Sequence, residues 1–346
     1  MTVQGYPDPG EGLRLHLNEN TGGCSPRVLE AIRRVQTTDV STYPSYPALV
    51  AACARHFGVD PDWVLLTNGL DEGILMAAVG HIARTRAFDA ETIIPLPAFD
   101  PYPNSTAAVG AKAIRIPPRP GYVFQTDEVI DAITPRTRMI FLNTPNNPTG
   151  QLISIADLKR IATAASHAIV LIDEAYIEFG GESFLPVLPQ FPNVLVGRTF
   201  SKAYGLAGMR VGIVIGQADA LDAVRAVTLP FNVNAVAMAA TQAALEDTEF
   251  LPRYATQVAE SRRRLYAACR ALGLEFWESA ANYVMVRVGD AVTLFVEALA
   301  ARGVHVRDRS KDPTTRGCIR ITAGITEHTD AAIEALESVV AGRRAR

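Results

Sequence analysis

The stretch Ile169-Val-Leu-Ile-Asp-Glu-Ala-Tyr176 decides the fold class of this 346-residue chain. Four apolar residues, most of them β-branched, end at a carboxylate, which is typical of a buried strand whose end faces a polar site. A buried Asp173 is unfavourable unless it meets a cation or hydrogen-bond donors, and a protonated pyridine nitrogen is one suitable cation. On this motif alone, it stays open whether Asp173 only caps the segment that follows.

Further short apolar runs of the same character lie on both sides of this stretch and predict strands. Helical patterns lie between them, at Asp71–Ala83, Thr126–Ala132 and Ile155–Ala165. This alternation predicts an α/β fold with a mostly parallel central sheet between helices. The other predicted strands are Trp63–Leu66, Thr92–Pro95, Ala113–Ile116, Met139–Leu142, Val194–Val196 and Val211–Ile215.

The C-terminal part predicts a smaller α+β domain. Ala235–Leu245 continues into one long amphipathic pattern through Arg270, and Tyr283–Val288 and Ile319–Thr322 are predicted strands flanked by helices. The N-terminal segment shows no sheet pattern of its own, so we expect it to pack with this smaller domain. The predicted organisation is an N-terminal arm and part of the small domain at 1–40, a large domain at 41–255 and the small C-terminal domain at 256–346.

Composition excludes several classes of protein. Hydrophobic residues make up 48% of the chain, charged residues 20%, and the net charge is −3, so no basic footprint for nucleic acid or an anionic membrane is evident. Met1–Gly10 lacks the features of a signal peptide, and no apolar run is long enough to span a bilayer. Neither a disulfide framework nor a metal site is indicated, and a cytoplasmic location is expected, because the cysteines are far apart: Cys24, Cys53, Cys269 and Cys318.

Two turns next to predicted strands carry polar groups. Asn143-Thr-Pro-Asn-Asn-Pro-Thr-Gly150 follows the Met139–Leu142 strand, and a side-chain amide held there can hydrogen-bond a phenolic oxygen. Thr67-Asn-Gly-Leu-Asp-Glu-Gly73 precedes a helix, whose first N–H groups can cradle a phosphate. Each motif alone is also compatible with an ordinary turn.

A lysine follows the Val194–Val196 strand, in Val194-Leu-Val-Gly-Arg-Thr-Phe-Ser-Lys202. The chain has four lysines, so chemistry that needs a primary amine has few candidates. A lysine in a dry site has a lowered pKa and can form a Schiff base, and Ser201 and Arg210 beside it suit a phosphate. By itself Lys202 is equally compatible with a surface loop.

Together these motifs match one kind of ligand, with an aldehyde, a ring nitrogen, a ring hydroxyl and a phosphate. The chain lacks the glycine-rich GxGxxG and GxxxxGK[ST] patterns, so dinucleotide and nucleoside-triphosphate binding have no support.

The motifs Asn147-Pro-Thr-Gly150, Asp173-Glu-Ala-Tyr176, Ser201-Lys202 and Gly208-Met-Arg210 resemble those of fold-type I, class II aminotransferases that use pyridoxal 5′-phosphate. The resemblance extends from about Leu15 to the last helix, in the same order and spacing. Within that superfamily the sequence most resembles the histidinol-phosphate aminotransferases. The supporting stretches are Leu17-Asn-Glu-Asn20, Tyr43-Pro44, Gly69-Leu-Asp-Glu-Gly73, Pro97-Ala-Phe99, Val306-Arg-Asp308 and Gly317-Cys-Ile-Arg-Ile-Thr322.

The resemblance implies a role for each cofactor-binding residue. Lys202 would hold the aldehyde as a Schiff base and move the substrate proton, and Asp173 would keep the ring nitrogen protonated. The ring hydroxyl would be bound by Asn147 and Tyr176. Phe99 would stack on the ring, where the family often has Tyr. The phosphate would be bound by the backbone of Leu70 and Asp71 and by the side chains of Ser201 and Arg210. Tyr43 of the other subunit of a homodimer would also bind the phosphate.

The resemblance also implies substrate contacts. Arg320 resembles the family's carboxylate-binding arginine, which suits glutamate, and Arg307, thirteen residues earlier, resembles a second arginine for a substrate phosphate. It stays open whether Arg307 is a solvated charge in a basic, loop-like run with Arg309 and Lys311. The arm Gly5-Tyr-Pro-Asp-Pro-Gly10 resembles a family motif in shifted form. Tyr6 in this arm and Asn147 are two further candidate substrate contacts. The family's proline after Asn20 is missing.

The function that follows from the resemblance is transamination of L-histidinol phosphate and 2-oxoglutarate to imidazole acetol phosphate and glutamate, a step of histidine biosynthesis. Three alternatives stay open. The chain could be an aromatic amino-acid aminotransferase acting on phenylalanine, or a threonine-phosphate decarboxylase. It could also be a pyridoxal-phosphate-binding protein without catalysis, although such proteins usually lack the lysine or carry an added DNA-binding module.

Overall fold

The computed structural model describes residues 10–85 and 89–344. The strands in these ranges are β1 Leu13–Leu15, β2 Val64–Thr67, β3 Glu91–Pro95, β4 Lys112–Ile116, β5 Thr137–Asn143, β6 Ile169–Asp173, β7 Val194–Thr199, β8 Gly212–Gly216, β9 Glu275–Trp277, β10 Tyr283–Arg287, β11 Val304–Asp308 and β12 Cys318–Thr322. The helices are α1 Pro26–Arg33, α2 Thr37–Ser41, α3 Pro47–Phe57, α4 Leu70–His81, α5 Pro101–Ala108, α6 Thr126–Asp131, α7 Ile155–Ala164, α8 Ala218–Arg225, α9 Ala235–Glu246, α10 Phe250–Leu272, α11 Val292–Ala300 and α12 Thr326–Arg344.

The larger sheet has seven strands in the order β2-β8-β7-β6-β5-β3-β4. Its neighbours from β7 to β4 pair in parallel, and β8 runs antiparallel to both β2 and β7. The central strands β6 and β7 are buried almost along their whole length because helices cover both faces, which explains their continuous apolar sequences. The predicted α/β fold with a mostly parallel central sheet is confirmed.

The smaller sheet has five strands in the order β1-β11-β12-β10-β9. The N-terminal segment, which shows no sheet pattern in the sequence, contributes strand β1, and Leu15 pairs with Val306 in parallel register. The strand itself is absent from the prediction, because a three-residue edge strand is too short to show a period of two. Strands β9 and β11 are likewise absent from the prediction.

The long helical pattern predicted through Arg270 is two helices. Helix α9 ends at Glu246 and α10 begins at Phe250. Asp247 between them accepts hydrogen bonds from the Ser25 hydroxyl at 2.5 Å and from the Phe250 N–H at 3.3 Å. The predicted domain boundary after residue 255 falls inside α10 and stays a prediction. Among the described residues, no helix combines the length and the apolar character needed to span a bilayer.

Strand β6 separates two acidic side chains that are adjacent in sequence. Successive residues of an extended chain point to opposite faces of a sheet. Asp173 points into a cavity, whereas Glu174 accepts a hydrogen bond from buried Arg198 at 3.1 Å. The guanidinium of Arg198 also contacts Glu178 at 2.5 Å. Glu174 therefore belongs to a buried ion-pair cluster, and Asp173 is the carboxylate available for ligand chemistry.

Candidate active site

A cavity of about 550 Å³ lies at the carboxyl ends of the central strands, between them and the smaller sheet. This is where ligands bind in doubly wound α/β folds. The cavity brings together most of the site residues predicted from the sequence, namely Leu70, Asp71, Phe99, Asn147, Asp173, Tyr176, Ser201, Lys202, Arg210, Arg307 and Arg320.

Lys202 is the primary amine of this cavity. Its Nζ donates a hydrogen bond to the backbone carbonyl of Leu17 at 2.8 Å. Burial, followed by the nearby positive charge of Arg320, lowers the pKa of Lys202 to about 8. A substantial fraction of the side chain is therefore neutral amine near pH 8, and only a neutral amine can attack a carbonyl carbon.

Asp173 is 2% exposed and ends strand β6. One carboxylate oxygen accepts a hydrogen bond from the hydroxyl of Tyr102 at 2.6 Å, and the other accepts one from the N–H of Ala175 at 2.9 Å. Burial raises the pKa of Asp173 to about 6, although both hydrogen bonds act to lower it. A cation held against this carboxylate, such as a protonated ring nitrogen, would favour its charged form.

Tyr176 presents its hydroxyl to two amides. The side-chain N–H groups of Asn18 and Asn147 approach the Tyr176 oxygen at 3.1 and 3.4 Å. Burial raises the pKa of Tyr176 to about 12, so the phenol keeps its proton at neutral pH and can donate it to an oxygen in the cavity. The side-chain N–H of Asn147 lies beside the Tyr176 hydroxyl, so both groups can hydrogen-bond one ligand oxygen, such as a ring hydroxyl.

Arg210 organises the other end of the cavity. It has a φ of 55°, in the left-handed region that side chains other than glycine rarely adopt. Its guanidinium donates to the hydroxyl of Ser201 at 3.3 Å and to the carboxylate of Asp71 at 3.1 Å. A Cβ at Gly69, whose φ is 76°, would lie 2.5 Å from this guanidinium. Glycine is favoured here because the positive φ strains any other residue and because a Cβ would displace the Arg210 guanidinium.

The start of helix α4 completes this cradle. Strand β8 passes so close that a Cβ at Gly212 would lie 2.4 Å from the backbone nitrogen of Leu70. The first N–H groups of a helix have no partner within the helix and carry partial positive charge. The helix start, a hydroxyl and a guanidinium together form a typical phosphate-binding arrangement.

Two arginines from the smaller sheet face the cavity from the opposite side. Arg320 on β12 lies directly across from Arg307 on β11. Arg320 is 5% exposed and donates to the Asn147 side-chain oxygen at 2.5 Å and to the His16 carbonyl at 2.8 Å. Burial lowers the pKa of Arg320 to about 10. The loop-like alternative for Arg307 is wrong, since Arg307 belongs to a strand.

Like charges directly opposite each other on one face of a sheet destabilise it. The pairing of Arg307 with Arg320 beside a cavity is therefore costly unless it serves to bind an anion.

The aromatic candidates differ in their placement. Phe99 lines the cavity, and its ring meets that of Tyr102 edge to face at 5.8 Å. Tyr43 does not line the cavity of its own chain: it is 79% exposed and stacks on Phe231 at 4.4 Å. Tyr6 lies outside the described residues.

Three residues in or beside the site were missed in the sequence: Asn18, Tyr102 and Arg309. Asn18 belongs to a stretch that supports the resemblance, but nothing in the pattern showed that its amide reaches Tyr176. Tyr102 is separated from Asp173 by 71 residues and follows a proline at the start of α5, with no polar pattern to distinguish it from core aromatics. Arg309 could have been found as the second residue after Arg307, had β11 been recognised as a strand.

The residues of the cavity fit pyridoxal 5′-phosphate. Lys202 supplies an amine of lowered pKa, Asp173 a buried carboxylate for a cationic ring nitrogen, and Tyr176 and Asn147 partners for a ring hydroxyl. The cradle formed by α4, Ser201 and Arg210 is closed by a glycine that no larger residue could replace without moving the guanidinium.

Comparison with known proteins is consistent with this geometry. The model of the family "Aminotransferase class I and II" matches residues 11–336. Histidinol-phosphate aminotransferase 2 of Nitrosospira multiformis is 36% identical over 94% of this chain and 83% of its own length. Histidinol-phosphate aminotransferase 2 of Ralstonia nicotianae is 37% identical over 95% and 89%. An aromatic amino acid aminotransferase of Rhodococcus opacus is 38% identical over 95% and 90%.

A similar fold is found in solved structures. The histidinol-phosphate aminotransferase of Sinorhizobium meliloti, crystallised in complex with pyridoxal 5′-phosphate, superposes with a TM-score of 0.87 and 27% identity over 99% of this chain and 96% of its own.

Proposed function

The chain belongs to the aminotransferase class I and II family, and on that premise we propose that it transfers amino groups with pyridoxal 5′-phosphate, from L-histidinol phosphate to 2-oxoglutarate. The products are imidazole acetol phosphate and glutamate, a step of histidine biosynthesis. A cytoplasmic location is part of the proposal and is supported by four cysteines that are all free.

When bound, the cofactor supplies an electron-withdrawing ring that stabilises negative charge at the substrate carbon. The residues of the chain bind and orient it. Asp173 would hold the proton on the ring nitrogen, Tyr176 and Asn147 would hold the ring hydroxyl, and Phe99 would cover the ring. The start of α4, Ser201 and Arg210 would hold the phosphate. Lys202 would hold the aldehyde carbon and, once the amino group of the substrate has displaced it from that carbon, its free amine would take the proton from the substrate carbon.

The observation that carries the choice of substrate is the pairing of Arg307 with Arg320 across β11 and β12. Histidinol phosphate has no carboxylate, so its phosphate must occupy the position that the carboxylate of glutamate takes in the second half of the reaction. A phosphate monoester carries up to two negative charges, and two facing guanidinium groups match that charge better than one.

A second candidate is an aromatic amino-acid aminotransferase. It is favoured by the 38% identity with the Rhodococcus opacus enzyme of that name. A substrate such as phenylalanine has one carboxylate, which Arg320 alone can bind bidentately. The two candidates therefore differ in their need for Arg307.

We expect the purified protein to convert histidinol phosphate with 2-oxoglutarate, and Arg307→Ala to lower kcat/KM for histidinol phosphate by about 10- to 100-fold. This is the effect of losing one charge-assisted hydrogen bond, about 1.5–3 kcal/mol. Turnover of phenylalanine, if detectable, should fall much less, because Arg320 remains. Steady-state kinetics with both donors measure the two effects.

Equal losses for the two donors would remove the phosphate role of Arg307. Turnover of phenylalanine but not of histidinol phosphate by the unaltered protein would establish the aromatic alternative. Release of carbon dioxide from threonine phosphate would instead identify a decarboxylase. If glutamate cannot convert the bound cofactor to its amine form, the protein is not a transaminase.

We also propose that the active unit is a homodimer, with Tyr43 of one subunit reaching the cofactor phosphate of the other. The exposed pair of Tyr43 and Phe231 supports this, together with the exposed apolar side chains of Val40 and Leu229, which are 70% and 71% accessible. Large apolar side chains exposed close together are typical of protein contact surfaces. A two-fold dimer would place each Tyr43 at the partner's site.

Mixing two impaired variants tests the dimer. Tyr43→Ala alone should weaken cofactor binding, and Lys202→Ala alone should be inactive. In a heterodimer of the two, one site carries both defects and the other carries none. Co-expressed, differently tagged heterodimers should therefore recover about half of the unaltered activity per dimer. Activity no higher than the mean of the two homodimers, or a monomeric mass in sedimentation, would contradict the shared site.

A further inference from the structure

We propose that Arg309 is a third arginine of the substrate site and that it selects for a phosphate group on the substrate. This inference rests on the proposed function and adds a residue to its recognition of histidinol phosphate. It is carried by the placement, the burial and the incomplete pairing of the Arg309 side chain.

Arg309 continues strand β11 by one residue beyond its assigned end. Its N–H donates to the carbonyl of Cys318 at 3.0 Å, which extends the ladder that pairs Arg307 with Arg320. Residues two apart along a strand point to the same face of a sheet. Arg307 and Arg309 therefore share the face on which Arg320 lies, and all three line the active-site cavity.

Arg309 also lines a second cavity of about 480 Å³ that adjoins the first. The two cavities share Asp100, Arg307 and Arg309, and the second one is also lined by Arg115 and Lys311. The second cavity also contains Asp308 and Asp312, so its lining is of mixed charge, and Arg309 lies where it meets the active site.

The charge of Arg309 is poorly compensated within the chain. Its side chain is about nine-tenths buried, and the nearest acidic partner, Asp312, is 3.9 Å away, beyond hydrogen-bond distance. Its Nε has no hydrogen-bond partner among the described residues. Buried Arg198, in contrast, contacts two carboxylates at 3.1 and 2.5 Å. A buried guanidinium without such partners is costly unless a ligand supplies an anion.

Three guanidinium groups match a phosphate monoester better than a carboxylate. A carboxylate has two oxygens, which one arginine can bind bidentately, whereas a phosphate has three terminal oxygens and can engage several arginines at once. We therefore expect Arg309 to contribute to binding of phosphorylated substrates and little to binding of their unphosphorylated analogues.

The test compares Arg309→Met with Arg316→Met in the cofactor-loaded protein. Arg316 is 78% exposed, lines neither cavity and loses the same charge. Arg309→Met should lower kcat/KM for histidinol phosphate by about 10- to 100-fold, the loss expected for a charge-assisted hydrogen bond. The rate with unphosphorylated histidinol, followed as single-turnover conversion of the cofactor, should change by less than about twofold if Arg309 contacts only phosphate. Arg316→Met should change neither.

Binding of inorganic phosphate to the cofactor-loaded protein gives a second readout that does not depend on turnover. Calorimetry should give a Kd about 10-fold weaker for Arg309→Met than for the unaltered protein and Arg316→Met. Equal losses with histidinol phosphate and histidinol, or an unchanged phosphate Kd, would show a structural role and overturn the inference. If the unaltered protein does not turn over histidinol phosphate, the proposed function fails, and the phosphate Kd still decides the role of Arg309.

Discussion

A Lys202→Ala variant is expected to lose transamination, with a fall in kcat of about 10⁴-fold or more. A positioned acid–base group alone contributes up to about that factor, and Lys202 also anchors the cofactor covalently in the proposed mechanism. The half-buried side chain donates a hydrogen bond from Nζ to the Leu17 carbonyl, and its pKa is lowered to about 8. The other lysines of the chain, Lys112, Lys159 and Lys311, lie outside the cavity and cannot replace it.

Absorption spectroscopy separates loss of attachment from loss of folding. The unaltered protein with pyridoxal 5′-phosphate should show the visible band of a lysine-bound cofactor, and Lys202→Ala should lack it. Lys159→Ala, on helix α7, is the matched control and should keep both the band and the activity. A visible band retained in Lys202→Ala, at unaltered thermal stability, would mean that another amine anchors the cofactor.

The sequence was sufficient to predict the large sheet and one wall of the site. Its central strands are short and apolar and end at polar residues, so the sequence alone places Asp173, Asn147 and Lys202 at one sheet edge. Parallel strands of one sheet end on the same side, so polar residues at successive strand ends converge. The order of the motifs along the chain therefore predicts that they lie close together in the fold.

The opposite wall was harder to predict because it depends on contacts between distant parts of the chain. Strand β1 pairs with β11 across about 290 residues, and its three residues carry too little pattern to predict a strand. Because β11 was not recognised, the alternation that places Arg307 and Arg309 on one face was not visible. Tyr102 raises the same difficulty, since only the structure shows that this buried tyrosine donates a hydrogen bond to Asp173.

A second large effect is expected for Asp173→Asn, which should lower kcat by about 10²- to 10³-fold. That is the range measured when one preorganised electrostatic group is removed from an active site. The asparagine side chain has the same shape but no charge, so it cannot favour the protonated form of a ring nitrogen. The substrate carbon would then give up its proton to Lys202 less readily. Stopped-flow measurement of the half-reaction with glutamate reports this step.

The hydrogen bond from Tyr102 provides the comparison that separates charge from position. Tyr102→Phe keeps the Asp173 carboxylate and removes only the bond of 2.6 Å to its Oδ2. A hydrogen bond to a charged group is worth about 1.5–3 kcal/mol, but this bond is present both before and during the reaction, so kcat should fall by at most about 10-fold. If charge at Asp173 drives the chemistry, Asp173→Asn must be at least tenfold slower than Tyr102→Phe. Similar rates for the two variants would mean that the charge of Asp173 is not what drives the chemistry, since only Asp173→Asn removes it.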